Sequence, residues 1–376
     1  MYIPMNIPEG NSILIMMSHD ESTFNLNDGC HQAWQSSEQT FLQPKLKERG
    51  IMISNVLYLY GRVTVPEQTT HEQIILARLD PIHREATEYF EYGKNNEGYW
   101  SGEHLVNHIT KVVILIFQLS YCPESVQGLF LFENAAGHCC YANDALHPIN
   151  VSMRPGGKQY LLCAGWYQIN GVKQIQEMIF PHNYEKFPNL SQGLKSVVEE
   201  GKLWHPHLRL DCMSCYCQQS KQILIQRKSV IDGLYCQKEP NYCSMKKQCG
   251  ECLLLCKHSK DKISTGCCAL KIISKQPDFH EQKVQLQEEV EQLCYLVLFL
   301  LEFHCELNWI EYYCGWSKKY ARENCGYSIE ALCDILPIAL DSVMPQLIGK
   351  YYYKTQRILQ AYCDGIVYGS KDFKKV

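Results

Sequence analysis

The sequence predicts an α/β fold, and three observations predict it. Apolar or β-branched runs of strand length recur at residues 12–17, 51–60, 128–133 and 293–301. A long amphipathic helical period begins at Ser101, and another follows the last run. With 376 residues and 46% hydrophobic content, the chain can bury a core as one large domain or as two. A net charge of −4 excludes a uniformly basic nucleic-acid binder, so any such contact must use local patches. The apolar run 13–17 is too short for a signal peptide and has no basic region before it. The longest run, 293–301, is far below the roughly 20 residues that span a bilayer. No membrane partner is expected, and in a reducing compartment the 21 cysteines should be buried, reduced or metal-bound.

Residues 1–11 read as a lead-in without apolar period. Residues 12–17 form a strand, with Asp20 just past its apolar centre, and Asn27-Asp28-Gly29 signals a hairpin towards Trp34. Residues 51–60 suggest another strand, and 64–100 read as irregular with a short helix near 74–79. Ser101 can cap a helix carrying Leu105, Ile109, Val112 and Ile116 on one face. Residues 128–133 then form a short strand with Glu133 at its carboxyl end, where open α/β sheets commonly place functional side chains.

Residues 148–284 break this pattern and read as an insertion between the core parts 1–147 and 285–376. The insertion holds a strand expected at 160–164 and a cysteine-rich region, 212–268. Leu286, Val290 and Leu293 make a helical stripe that returns the chain to the core, and 293–301 reads as a strand buried on both faces. Asn308 then caps a helix running through Lys318, Lys319 and Arg322 to Gly326, and Ser328 caps one with Leu332, Leu336, Leu340 and Val343 on one side. From Lys350 onwards basic residues outnumber acids, beside Tyr351, Tyr352, Tyr353 and Tyr362. That end is either a packed helix with a solvated tail or a surface for phosphates and bases.

The stretch Phe303-His304-Cys305-Glu306-Leu307-Asn308-Trp309-Ile310-Glu311 places a carboxylate one turn inside a helix that follows a strand. Glu311 has two readings: a ligand sharing a metal ion with acids on neighbouring strands, or the return half of a capping box on the Asn308 amide. Partners for the first reading stand in Ser18-His19-Asp20-Glu21-Ser22-Thr23 and in Leu131-Phe132-Glu133-Asn134-Ala135-Ala136-Gly137-His138. These three segments, with shorter matches at 93–100, 155–159 and 276–279, resemble the acid motifs of mariner-like DDE transposases in the right order, from about residue 13 to about residue 345.

The resemblance implies an RNase H-like αβα core and a catalytic triad of metal ligands, Asp20, Glu133 and Glu311, for Mg²⁺ or Mn²⁺. It also implies DNA as substrate, no small-molecule substrate, a nuclear location and the option of a homo-oligomer. In such sites two ions about 3.5–4 Å apart activate the attacking oxygen and stabilise the leaving one. Two departures point to impaired activity. Position 133 is glutamate where the family has aspartate, and a misplacement of about 1 Å can cost on the order of a hundredfold in rate. The family also carries an N-terminal helix-turn-helix reader, which residues 1–11 cannot supply.

Cys212-x-x-Cys215 and Cys249-x-x-Cys252 have the spacing by which a turn presents two thiolates to one zinc ion. The resemblance makes Cys212, Cys215, Cys267 and Cys268 the first candidate set for a structural Zn²⁺, with Cys249, Cys252 and Cys256 or His258 second; reduced thiols in a loop are the alternative. The expected function is an impaired DDE endonuclease. The alternative is a non-catalytic module that keeps the fold and the zinc site for binding DNA or protein.

Overall fold

Alternation along β1 (Ile13–Asn25) organises the sheet, because its odd and even residues face two separate hydrophobic cores. The computed structural model describes residues 12–26, 49–93, 95–121, 125–157, 159–206, 208, 210, 268–301, 304–326 and 328–373. The chain divides into two units, Met1–Cys140 with Val284–Val376, and Tyr141–Lys283.

The first unit is a mixed sheet between helical layers. Its strands are β1, β2 (Gly50–Tyr58), β3 (Gly61–Arg62), β4 (Thr87–Glu91), β5 (Val126–Phe132) and, later in the chain, β8 (Leu296–Phe299). Their order is β3-β2-β1-β5-β8, with β4 also on β2. β1 runs antiparallel to β2 and parallel to β5, which is parallel to β8. The strand expected at 12–17 extends to Asn25, because Ser18, Asp20 and Ser22 stay in the antiparallel ladder opposite Leu57, Asn55 and Ile53. Asp20 therefore stands inside the sheet. Helix α1 (His71–Leu76) precedes β4, a strand that the irregular reading of 64–100 missed.

On one face, Met17, Val56, Phe130 and Phe132 pack against Leu105, Ile109, Val112 and Ile116, the stripe anticipated from Ser101. That helical run comprises α2 (Gly102–His108), a π turn at Ile109–Val113, and α3 (Ile114–Ser120). Leu286 and Val290, from the later helix Gln285–Gln292, close the same core. On the other face Phe24, Ile53, Leu57 and Leu131 meet Trp309, Ile310, Tyr313, Leu336 and Ile348.

The second unit contains a hairpin, β6 (Gly165–Ile169) and β7 (Val172–Gln176), and three short helices, α4 (Leu194–Glu200), α5 (Ala269–Ile273) and α6 (Pro277–Glu281). Their core includes Leu146, Leu194, Val197, Ile272 and Phe279. Residues 160–164 are not a strand; the hairpin lies just beyond them. Its two-residue turn, Asn170-Gly171, has φ of 51° and 80°, the positive values that match the twist of paired strands and that Asn-Gly readily adopts. The Asp278 carboxylate accepts the Trp166 N–H at 2.9 Å and anchors β6 to α6.

In the first unit again, α7 (Gln285–Gln292) precedes β8, and α8 (Trp309–Asn324), α9 (Ile329–Asp341) and α10 (Pro345–Cys363) follow it. The apolar run 293–301 is not a strand buried on both faces. Only Leu296–Phe299 is extended, Cys294 turns at φ 65°, and Leu298 is 51% exposed. β8 ends the strand order, so one side pairs with β5 and only Val297 and Phe299 point into the core. Among the described residues no single helix is long and apolar enough to cross a membrane.

This arrangement predicts unequal costs in two neighbouring strands. Phe130→Ala, at a fully buried site, should lose about 3–5 kcal/mol in denaturant unfolding. Leu298→Lys should stay within about 0.5 kcal/mol.

Candidate metal-binding site

The register of β1 and β5 builds the site. Ser18 pairs with Leu131, so two residues on Asp20 comes beside Glu133, just past the carboxyl end of β5 and on the same face. Glu311 reaches them from the first turn of α8. Carboxylate oxygens of Asp20, Glu133 and Glu311 all lie within 4.8 Å of one another. Asp20 is buried and the two glutamates are half-buried. A cavity of about 370 Å³ opens beside them, lined by Glu133, Asn134, Ala135, Leu300, Leu301, His304 and Cys305.

Asn308 joins the three motifs. It occupies the N-cap position of α8, but its side chain does not cap the helix. It accepts a hydrogen bond from Ser18 Oγ, and its Nδ2 donates to the His19 carbonyl at 3.3 Å and to Glu133 Oε1 at 3.2 Å. The capping-box reading of Glu311 therefore fails: the Asn308 N–H donates to the Cys305 carbonyl, and Glu311 is turned towards Glu133. Of the two glutamates in the motif, Glu306 is engaged elsewhere, accepting from Tyr362 Oη and contacting His304 Nδ1 at 2.7 Å.

Like charges crowded at low dielectric raise carboxyl pKa values. Burial, then Glu311 and Glu133, push Asp20 up to about 8. Burial and the carboxyl of Glu133 also raise Glu311. The donor set is all oxygen, which suits a hard divalent cation. The longer side chain at 133 still reaches the cluster, with Asn308 holding one of its oxygens.

The odd face of β1 carries a polar network that the motif reading did not assign. His138 Nε2 meets Glu21 Oε2 at 2.7 Å, and Trp100 Nε1 donates to Glu21 Oε1 at 3.1 Å. His138 Nδ1 meets the Glu133 carbonyl at 2.7 Å. His19 Nε2 and His108 Nδ1 both contact Ser54 Oγ at 2.8 Å. Burial lowers His19 to about 4 and His108 to about 3, so both are neutral near pH 7. Burial works against Glu21, yet His19, the His138 hydrogen bond and the His138 charge hold it down at about 2. Burial opposes and the Glu21 hydrogen bond favours His138, which is raised overall. The strict alternation of His19, Asp20 and Glu21 in a strand was the available signal.

The cysteine proposals fare differently. Cys212, Cys215 and Cys267, and the second set Cys249, Cys252, Cys256 and His258, lie outside the described residues. Cys268 is buried at the N-terminus of α5. Searches of protein families, curated proteins and solved structures found no match to the chain.

Two outcomes follow from this geometry. Without divalent ions the folded state keeps the Asp20 proton up to about pH 8, whereas the unfolded chain releases it near 3.8, so this group disfavours folding progressively as pH rises between them. His19 and His108 act oppositely: the unfolded chain binds their protons below 6.5 and the folded state does not until about 4 and 3, so stability rises towards 6.5. The melting temperature should peak near pH 6.5 and fall towards 8, and saturating Mg²⁺ should flatten that fall. Asn308→Ala should cost about 1–3 kcal/mol, measured by denaturant, because it leaves buried polar partners without their bonds.

Proposed function

We propose that the protein is a transposase-derived DDE-type phosphodiesterase acting on DNA, with an RNase H-like core. The observation that carries this reading is the convergence of Asp20, Glu133 and Glu311, from the beginning, the middle and the last third of the sequence, within 4.8 Å. The sheet supports it: an antiparallel meander of β1, β2 and β3 with β4, then β5 and β8 parallel to β1, each reached through helices.

Magnesium or manganese is the metal that three carboxylates suit, and when bound it would activate the attacking oxygen and stabilise the leaving one. The residues supply position. Asp20 is held by its antiparallel pairing with Asn55 of β2, Glu133 by Asn308, and Glu311 by the first turn of α8, whose dipole favours a carboxylate there. Lys318, Lys319, Lys350 and Lys354 on α8 and α10 offer local cationic contacts for a phosphate backbone despite the acidic total. A nuclear location rests on the same resemblance as the DNA substrate.

A second reading has its own observation. Glutamate at 133 is longer than the family's aspartate, and magnesium tolerates little departure from its preferred distances, so the fold can persist as a DNA- or protein-binding module without turnover. Supercoiled plasmid with Mn²⁺ or Mg²⁺ separates the two. Slow nicking is expected from the unaltered protein, abolished by Glu311→Gln and increased by on the order of a hundredfold in Glu133→Asp. Nicking that persists unchanged in Glu311→Gln would remove the catalytic assignment; DNA binding without nicking in any variant would favour the module.

A further inference from the structure

Behind the acidic triad, on the opposite face of β1, a second group of metal-ligating side chains converges. Ligand atoms of His19, Glu21 and His138 all lie within 4.8 Å of one another. We propose that His19, Glu21 and His138 form a zinc site, independent of the nuclease reading and of the cysteine-rich region, which clamps β1 to the segment after β5.

Four features favour a metal over a plain ion pair. Two imidazoles and one carboxylate are a donor set that borderline ions such as Zn²⁺ take up, in contrast to the all-oxygen set on the other face. His19 is 1% exposed, its Nε2 is taken by Ser54 Oγ, and its Nδ1 has no hydrogen-bond partner among the described residues. A buried ring nitrogen left this way is costly unless something binds it. The outer partners are those that orient metal-bound histidines: Ser54 Oγ behind His19, and the Glu133 carbonyl behind His138 Nδ1, which leaves Nε2 facing the site. Finally, Glu21 is 22% exposed in its side chain and gives an ion a way in.

The fit requires little movement. His138 Nε2 and Glu21 Oε2 are 2.7 Å apart, whereas two ligands of a tetrahedral zinc stand about 3.3 Å apart, so the pair must open by about half an ångström. Because His138 also holds the Glu133 carbonyl, the clamp would fix the backbone that carries the second acid of the triad. Three side chains leave the fourth tetrahedral position to water, and the role assigned to the ion is to tie residue 138 to β1.

The test uses the full chain, stripped with chelator, then given Zn²⁺ in the presence of excess Mg²⁺ to occupy the acidic triad. Bound zinc is counted by elemental analysis, and the melting temperature is read with and without zinc. Glu21→Gln, which keeps the side-chain volume, and His138→Ala should each bind about one equivalent less than the unaltered protein and lose part of the zinc-induced rise in melting temperature. The same zinc content and the same rise in all three proteins would overturn the site and leave an ordinary His138–Glu21 ion pair. Should the variants fail to fold, the unaltered protein decides: after iodoacetamide has alkylated its accessible thiols it should still take up about one zinc, and uptake of none would overturn the proposal.

Discussion

Three carboxylates that repel one another are held together at the edge of a buried sheet, and much of the first unit serves to hold them there. In low dielectric that repulsion is severe unless a proton or a cation intervenes. The unit meets it with rigid supports: Asp20 is fixed by its pairing with Asn55 of β2, and Glu311 by a helix whose Trp309, Ile310 and Tyr313 fill a core. Asn308 ties these supports at a single point, with bonds to Ser18, to the His19 carbonyl and to Glu133. A neutral amide suits this position because it can donate to a carboxylate and accept from a hydroxyl at once.

β1 uses both of its faces for chemistry. Period-two alternation sends Asp20 to the helix α8 side and His19 and Glu21 to the α2 side, where His108, Trp100 and His138 meet them. The two faces differ in donor type, oxygen on one and mixed nitrogen and oxygen on the other. They communicate through the backbone of Glu133, whose carbonyl contacts His138 while its carboxylate joins the triad. A strand with polar residues on both sides is tolerated here because each face finds partners from another element.

Local patterning was legible where the relevant contacts are short-range. The stripe Leu105, Ile109, Val112, Ile116 and the Ser328 cap are written into neighbouring residues, and the structure places them as the sequence predicts. Asn170-Gly171 was equally legible as a hairpin turn, and overlooking it put a strand five residues too early. Misread elements depended on distant neighbours. The apolar run 293–301 looks like a central strand, yet β8 ends the strand order, and nothing local distinguishes an edge from a centre. Asn308 has the residue type and position of a cap, but three partners, two of them about 290 residues away, outcompete the local N–H groups.

By itself the sequence determined the α/β class, the helix stripes and the identity of the acids in each motif, because these rest on residue type and on spacing along one element. Tertiary structure alone decided that Asn308 serves the acids, that Glu306 turns to Tyr362 and His304, and that His138 stands against Glu21. The physical reason is that strand register and helix docking set distances between residues far apart in the chain. A change of one residue in register would turn Asp20 to the opposite face of the sheet.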